Sequence, residues 1–262
     1  MTILNYTQQG SGKNILLIHG LLGSLENLNM VAKGLKDNYC VTSVDVRNHG
    51  NSFQKNAMDY AELAQDIITL LDHLNIDHCA LLGHSMGGKI AMQVALDFPK
   101  RVSQLIIADI SPVQYPAHHQ KILEGLKAID LKSISSRKDA DNQLATYVKE
   151  QGVRQFLLRN LTSDDNHWQF KCHLDNIIHC YPQIMASYEG QSQFSGPTLF
   201  IKGGDSNYIL PEHREKIITL FPKSSAKIIQ GAGHWLHAEK TNVFNKIVND
   251  FLNKNDNSPV HD

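Results

Sequence analysis

The 262-residue chain has few cysteines, no surplus of either charge and no long apolar run. Its four cysteines, Cys40, Cys79, Cys172 and Cys180, form no CxxC pair, so the usual mark of a redox dithiol or zinc knuckle is missing. Cys40 and Cys79 lie in strand-like apolar runs, where a buried thiol behaves as a small hydrophobe. Reduced thiols and a cytoplasmic protein are therefore expected. Lysine and arginine number 25 against 26 acidic residues. No field of one sign exists to gather nucleic acid or an anionic membrane, and neither is expected as a partner. The apolar runs, such as Cys79 to Leu82 and Leu105 to Ala108, are too short to cross a bilayer, so no membrane insertion is expected. The opening MTILNYTQQGSGKN has no basic segment ahead of an apolar stretch, and no signal peptide is expected.

Hydrophobic residues make up 42% and charged residues 19%, the balance of a globular chain with a sizeable core. Short apolar runs alternate with helical patterns, which predicts strand–helix units around a mostly parallel central sheet flanked by helices. The expected strands are Ile15 to Ile18, Cys40 to Val46, Cys79 to Leu82, Gln104 to Ile110, Thr198 to Ile201 and Ala226 to Ile229. Their continuous hydrophobicity implies cover on both faces. Between them, Leu25 to Leu35 carries an apolar helical face. Asp59 and Glu62 have capping-box spacing ahead of the stripe Leu63, Ile67, Leu70, Leu71 and Leu74. A helix is expected from Met86 to Asp97, ended by Pro99, and another from Asn242 to Leu252.

Residues 111–196 break this alternation. They show no obvious strand, and Ala140 to Val148 and Gly152 to Arg159 are the better helical segments. The expected organisation is an α/β core of residues 1–110 and 197–254, a helical cap insertion at 111–196, and a flexible tail at 255–262.

One segment carries chemistry. Gly83-His84-Ser85-Met86-Gly87 is a G-x-S-x-G pattern with an apolar strand leading in and a helix leading out. A serine there sits on a sharp, strained turn, and Gly83 and Gly87 remove side chains that would collide across it. The helix behind it offers free N–H groups and partial positive charge to an oxyanion. The five-residue pattern alone is weak, since small residues recur by chance, but two further segments strengthen it. His19-Gly20-Leu21-Leu22-Gly23 follows a strand and would supply a second backbone donor from Leu21, beside that of Met86. The side chain of His19 is read as a hydrogen-bonded turn residue. Gly231-Ala232-Gly233-His234-Trp235 follows the last strand. A serine hydroxyl needs an imidazole to take its proton, and His234 is the candidate base for Ser85. His237 is read as a helix-side neighbour.

These motifs, with Asp45 to Ser52 (DVRNHGNS), identify the chain as similar to the α/β-hydrolase fold family over nearly its whole length. Through VDVRNHG, GHSMGGK and Asp109-Ile110-Ser111-Pro112-Val113 it resembles more narrowly the YbfF-like bacterial esterases. The resemblance implies hydrolysis of simple carboxylic esters, with short acyl chains and acyl thioesters such as acyl-CoA as candidate substrates, and no cofactor. A carbon–carbon bond hydrolase or lyase would keep Ser85 and His234, and a ligand receptor without turnover would keep the fold. Dehalogenases and epoxide hydrolases of this fold use an aspartate where Ser85 stands.

The triad acid has two candidates, Asp109 and Asp205, each just after a strand and between serine and histidine in chain order. Asp45 precedes the serine and is read as organising a turn beside Arg47 and His49. In most of the family the acid follows the later strand as G-x-x-D. Here Gly203 and Gly204 plus three give Ser206 and Asn207, neither acidic. The YbfF-like esterases share this departure and take the acid from the earlier strand, which carries over to Asp109. The other reading of Asp205 is a turn cap.

Tyr115, Phe156, Leu157, Trp168, Phe170 and Tyr181 in the insertion are read mainly as its own core. His118-His119, and His173 with His179, lack the partners of a metal set, so no metal is expected. Lys89 is a candidate contact for an anionic substrate, or a structural cation.

Overall fold

The β-branched and leucine-rich runs expected to be strands build a seven-stranded sheet. This computed structural model describes residues 2–164 and 167–256. In chain order the first elements are β1 (Tyr6–Gln9), β2 (Lys13–Ile18), α1 (Asn29–Leu35), β3 (Tyr39–Val44), α2 (Tyr60–His73), β4 (Cys79–His84), α3 (Met86–Asp97) and β5 (Val102–Ala108). The insertion contributes α4 (Gln120–Lys127), α5 (Arg137–Leu144), α6 (Gln151–Leu157), β6 (Leu161–Asp164), β7 (His167–Phe170), α7 (Leu174–His179) and α8 (Tyr181–Met185). The sheet then resumes with β8 (Thr198–Gly203), α9 (Arg214–Leu220), β9 (Ser224–Ile229), α10 (Leu236–Glu239) and α11 (Thr241–Asp256).

The strand order is β1-β3-β2-β4-β5-β8-β9. Every neighbouring pair is parallel except β1 with β3. Successive residues of the central strands enter opposite cores. Leu16 and Ile18 pack with α2 and α3, whereas Ile15 and Leu17 pack with α1 and α11. This is why those strands read as unbroken apolar runs. Asp59 accepts from Glu62 N–H (3.0 Å) at the start of α2, the cap its spacing predicts. Among the described residues no helix is long and apolar enough to cross a membrane.

Three features depart from the sequence reading. β1 is a polar edge strand, Tyr6-Thr7-Gln8-Gln9, with no apolar alternation to announce it. Its place comes from antiparallel pairing with β3 rather than from side-chain burial. The insertion contains an antiparallel hairpin, β6 with β7, where no strand was expected. Of its described residues only Leu161 is buried, so the hydrophobic pattern that marks a strand is missing. Asn255 and Asp256, assigned to a flexible tail, continue α11. The Asp256 carboxylate takes hydrogen bonds from Tyr39 and Gln104, which tie the helix end to the core. The rest of that tail lies outside the described residues.

The sheet gathers chemistry at one end. The loops after β2, β3, β4, β5, β8 and β9 all leave the carboxyl ends of parallel strands, where open α/β sheets place their ligands.

Candidate active site

Ser85 follows β4 at φ 54°, ψ −122°, a conformation that L-residues reach only under strain. The neighbouring glycines permit it. A Cβ on Gly83 would lie 2.1 Å from the Gly87 carbonyl oxygen, and one on Gly87 would lie 2.2 Å from that of Ile18. The strand must come this close to the helix start and to β2, so both positions tolerate only glycine. The Ser85 N–H donates to Ala108 O (3.0 Å), and its own carbonyl accepts from Gly88 N–H (2.8 Å). These bonds hold the turn from both sides. Its hydroxyl has no hydrogen-bond partner among the described residues. Catalytic contacts of this kind often close only with substrate bound.

Two buried histidines shape the loop that carries Leu21. His19 Nε2 accepts from Val46 N–H (3.1 Å), while its Nδ1–H donates to Gly20 O (2.8 Å). His49 Nε2 accepts from Leu22 N–H (3.1 Å), and its Nδ1–H donates to Arg47 O (3.0 Å). Each ring therefore uses one nitrogen as acceptor and one as donor, which requires the neutral form. Burial lowers the pKa of both, that of His49 to about 3. The His19 side chain is thus the turn residue expected of it. Asp45 braces the same region, accepting from the N–H groups of Leu25 and Asn51. Arg47 is anchored to Asp66 on α2. The N–H groups of Leu21 and Met86 donate to no protein acceptor among the described residues.

Asp109 follows β5 as Ser85 follows β4, also in the left-handed region (φ 52°). It is fully buried. One carboxylate oxygen accepts from Gly203 N–H (2.9 Å). The other accepts from the Ser206 hydroxyl and from His234 Nδ1–H (2.8 Å). Asp205, the alternative acid, is exposed, and among the described residues Asp109 is the carboxylate bonded to His234. The Asp205 N–H ties the turn after β8 to Ala232 O (2.9 Å).

His234 sits on the loop after β9. Its Nδ1 is held by Asp109, and its carbonyl accepts from His84 Nε2–H (2.8 Å). His84 is buried, and its pKa falls well below 6.5 through burial first and through His237 and His234 beside it. His237, on α10, packs against His84 with the rings tilted 60° and 4.4 Å between their centres. Ser85 and His234 face one cavity of about 370 Å³, which Leu21, His84, Phe156 and Trp235 also line. A second cavity of about 20 Å³ opens beside Ser85 and Met86, walled by Tyr60, Ile110, Tyr115 and Ile184.

Three residues of this site went unassigned in the sequence. Ser206 had a visible signal, since it stands where a G-x-x-D acid would be, and its hydroxyl donates to the Asp109 carboxylate. His84 is the variable residue of the elbow motif and Tyr208 a loop tyrosine, so neither carried a pattern. Lys89 is committed inside the protein. Its ammonium donates to Val113 O (2.7 Å), Ala186 O (2.6 Å) and Met185 O (3.4 Å), and burial lowers its pKa to about 7. Its ammonium thus bridges the two ends of the insertion. His118 and His119 both contact the Tyr208 hydroxyl. Among the described residues no group of three histidine, cysteine or acidic side chains could hold a metal ion.

Comparison with known proteins matches the alpha/beta hydrolase fold family over residues 13–241. Esterase YbfF of Escherichia coli is 35% identical, over 94% of this chain and 95% of its own. The mouse sn-1-specific diacylglycerol lipase ABHD11 is 39% identical, over 91% of this chain and 80% of its own. A solved structure described as a marine microorganism esterase superposes with a TM-score of 0.93 at 34% identity, covering 96% of this chain and all of the other. The family match over residues 13–241, relatives above 30% identity along nearly the whole chain and the superposed esterase agree: the chain belongs to the α/β-hydrolase family, within its ester-hydrolase branch.

Proposed function

We propose that the protein cleaves carboxylic esters through an acyl-enzyme on Ser85, with His234 as general base and Asp109 as the acid that orients it. The observation that carries this reading is the 2.8 Å bond from His234 Nδ1 to buried Asp109, on an imidazole that shares a cavity with Ser85. That bond leaves Nε2 to serve the serine. Ser85 Oγ attacks the ester carbonyl as its proton passes to His234 Nε2. The Asp109 carboxylate stabilises the imidazolium that results. The N–H groups of Leu21 and Met86 hold the oxyanion, a contribution of about 3 kcal/mol per donor in comparable sites. The tetrahedral intermediate collapses, and the leaving alcohol takes the proton from His234. Water then attacks the acyl-enzyme with His234 again as base, releasing the acid and restoring the serine.

The two cavities suggest how the ester is divided. The leaving oxygen must approach His234, so the alcohol limb belongs in the 370 Å³ cavity that His234 lines. The acyl limb then falls to the 20 Å³ cavity, which holds little more than one small group. This supports short acyl chains. A short acyl thioester would enter by the same steps. We read residues 111–196 as a cap on a core formed by 1–110 and 197–254, since Phe156 of that segment walls the larger cavity. The buried thiols of Cys79, Cys172 and Cys180 suit a reducing compartment, and we place the enzyme in the cytoplasm.

A fluorophosphonate is expected to label Ser85. Ser85→Ala should lose both the label and turnover of p-nitrophenyl acetate, by about 10⁴-fold or more. Activity on p-nitrophenyl esters should fall from acetate to octanoate. Turnover by Ser85→Ala overturns the serine mechanism, and a rise toward octanoate overturns the acyl assignment. A single stalled turnover after the burst would instead indicate a receptor.

A further inference from the structure

Tyr208 takes no part in the proton transfers above, yet its ring lies flat against the base. The Tyr208 and His234 rings are 3.9 Å apart and 19° from parallel. It is the one stacked ring pair among the described residues; the others are tilted or edge-on. His84 covers the imidazole elsewhere, at 4.8 Å between centres. With Nδ1 on Asp109 and a ring against its face, the His234 side chain has little room to rotate.

The main chain of Tyr208 is itself anchored. Its N–H donates to Ser206 Oγ (3.2 Å), the hydroxyl that also serves Asp109. Its carbonyl accepts from the hydroxyls of Tyr115 and Ser111. The phenol end reaches the cap. Tyr208 Oη meets His118 Nε2 at 2.8 Å and His119 Nε2 at 3.3 Å. His119 Nδ1 in turn meets Tyr181 Oη at 2.9 Å.

One proton arrangement satisfies the whole chain. The Tyr181 hydroxyl donates to His119 Nδ1, His119 Nε2–H donates to Tyr208 Oη, and the Tyr208 hydroxyl donates to His118 Nε2. It needs a neutral His119, and burial does lower that ring's pKa, to about 3.

We infer that Tyr208 is a positioning residue with two separable functions: its ring holds His234 in the productive orientation, and its hydroxyl ties that orientation to the cap through His118 and His119. The inference rests on His234 being the base. A base held at one nitrogen alone could pivot about that bond, and misplacement by about 1 Å costs on the order of 10²-fold in rate. The stack removes the pivot. The hydroxyl link makes the base sensitive to whether the cap is seated, and so to whether the cavity is closed over substrate.

The two functions separate by substitution. Tyr208→Phe keeps the ring and removes the link to the cap. Tyr208→Leu and Tyr208→Met remove both. Steady-state kinetics would be measured on p-nitrophenyl acetate, with active enzyme counted by fluorophosphonate titration so that misfolded protein does not enter the rate. The leucine and methionine variants should lose kcat at least tenfold. The phenylalanine variant should recover kcat to within about threefold of wild type while KM rises several-fold. Equal kcat in the phenylalanine and leucine variants would overturn the stacking function, and an unchanged KM in Tyr208→Phe would overturn the link to the cap. His234→Ala, run alongside, separates the two levels. If it turns over, the base assignment fails. If it is inactive while Tyr208→Leu matches wild type, only the present inference fails.

Discussion

The two halves of the active site are built from different materials. On the β2 and β4 side the proposed working groups are main-chain N–H donors and a serine on a strained turn, shaped by Gly20, Gly83 and Gly87. On the β5, β8 and β9 side they are side chains from three separate loops, Asp109, Ser206, Tyr208 and His234, joined by hydrogen bonds and one stacked pair. The first half is set by local backbone geometry. The second exists only after strands distant in sequence have paired. Each half is therefore vulnerable to a different perturbation.

Acid should strike both halves at once and have the largest effect. His19 and His49 brace the first half; His84, His119 and His237 are packed in the second. Burial depresses the pKa of all of these, to about 4 for His237 and about 3 for His49 and His119. Each stays neutral in the folded protein, whereas the unfolded chain protonates it near 6.5. Below pH 6.5 the unfolded state binds more protons, so stability falls as pH drops toward the folded-state values. The slope is up to about 1.4 kcal/mol per pH unit for each ring. Denaturant unfolding at pH 7.5, 6.0 and 5.0 should show a steep loss below 6.5 and little change above it from these groups. A flat profile from 7.5 to 5.0 would mean that the rings are not buried in neutral form.

The second half breaks selectively at its acid. Asp109→Asn preserves shape but leaves the His234 tautomer unsupported, and kcat should fall by about 10⁴-fold, as when a triad aspartate is lost elsewhere. Asp205→Asn should stay within about twofold of wild type, since Asp205 is exposed and its backbone makes the turn contact. The reverse result, with Asp205 critical and Asp109 dispensable, would reassign the acid.

The same division governs how much could be read from the sequence. A strained serine turn needs glycine where the chain passes close to itself, so Gly83 and Gly87 announce the elbow within five residues. Six of the seven strands in the main sheet were legible as apolar runs, but the cover on both faces expected of all six fails at β9, an edge strand of which only Ile229 is buried. β1 was not, because an edge strand of Tyr-Thr-Gln-Gln buries too little to leave a pattern. The acid was legible only as two candidates. Both Asp109 and Asp205 follow a strand, and what separates them is a carboxylate direction fixed by partners at Gly203, Ser206 and His234. Residue type and spacing do not encode that direction. Tyr208 was invisible for the same reason.

The first half should fail through the backbone rather than through lost chemistry. Gly87→Ala would place a methyl 2.2 Å from the Ile18 carbonyl oxygen, which is main chain and has little freedom to retreat. The start of α3 must then shift away from β2, carrying the Met86 N–H with it. Losing one oxyanion donor costs about 10² to 10³ in kcat, less than the loss expected at Asp109. Fluorophosphonate labelling should slow with kcat, because phosphonylation uses the same donors, while the Asp109–His234 bond stays intact. The imidazole proton of His234, followed by NMR, reports that bond. Its survival in Gly87→Ala and its disappearance in Asp109→Asn would show that the halves fail independently. Its loss in both would mean that the elbow and the acid loop form one cooperative unit.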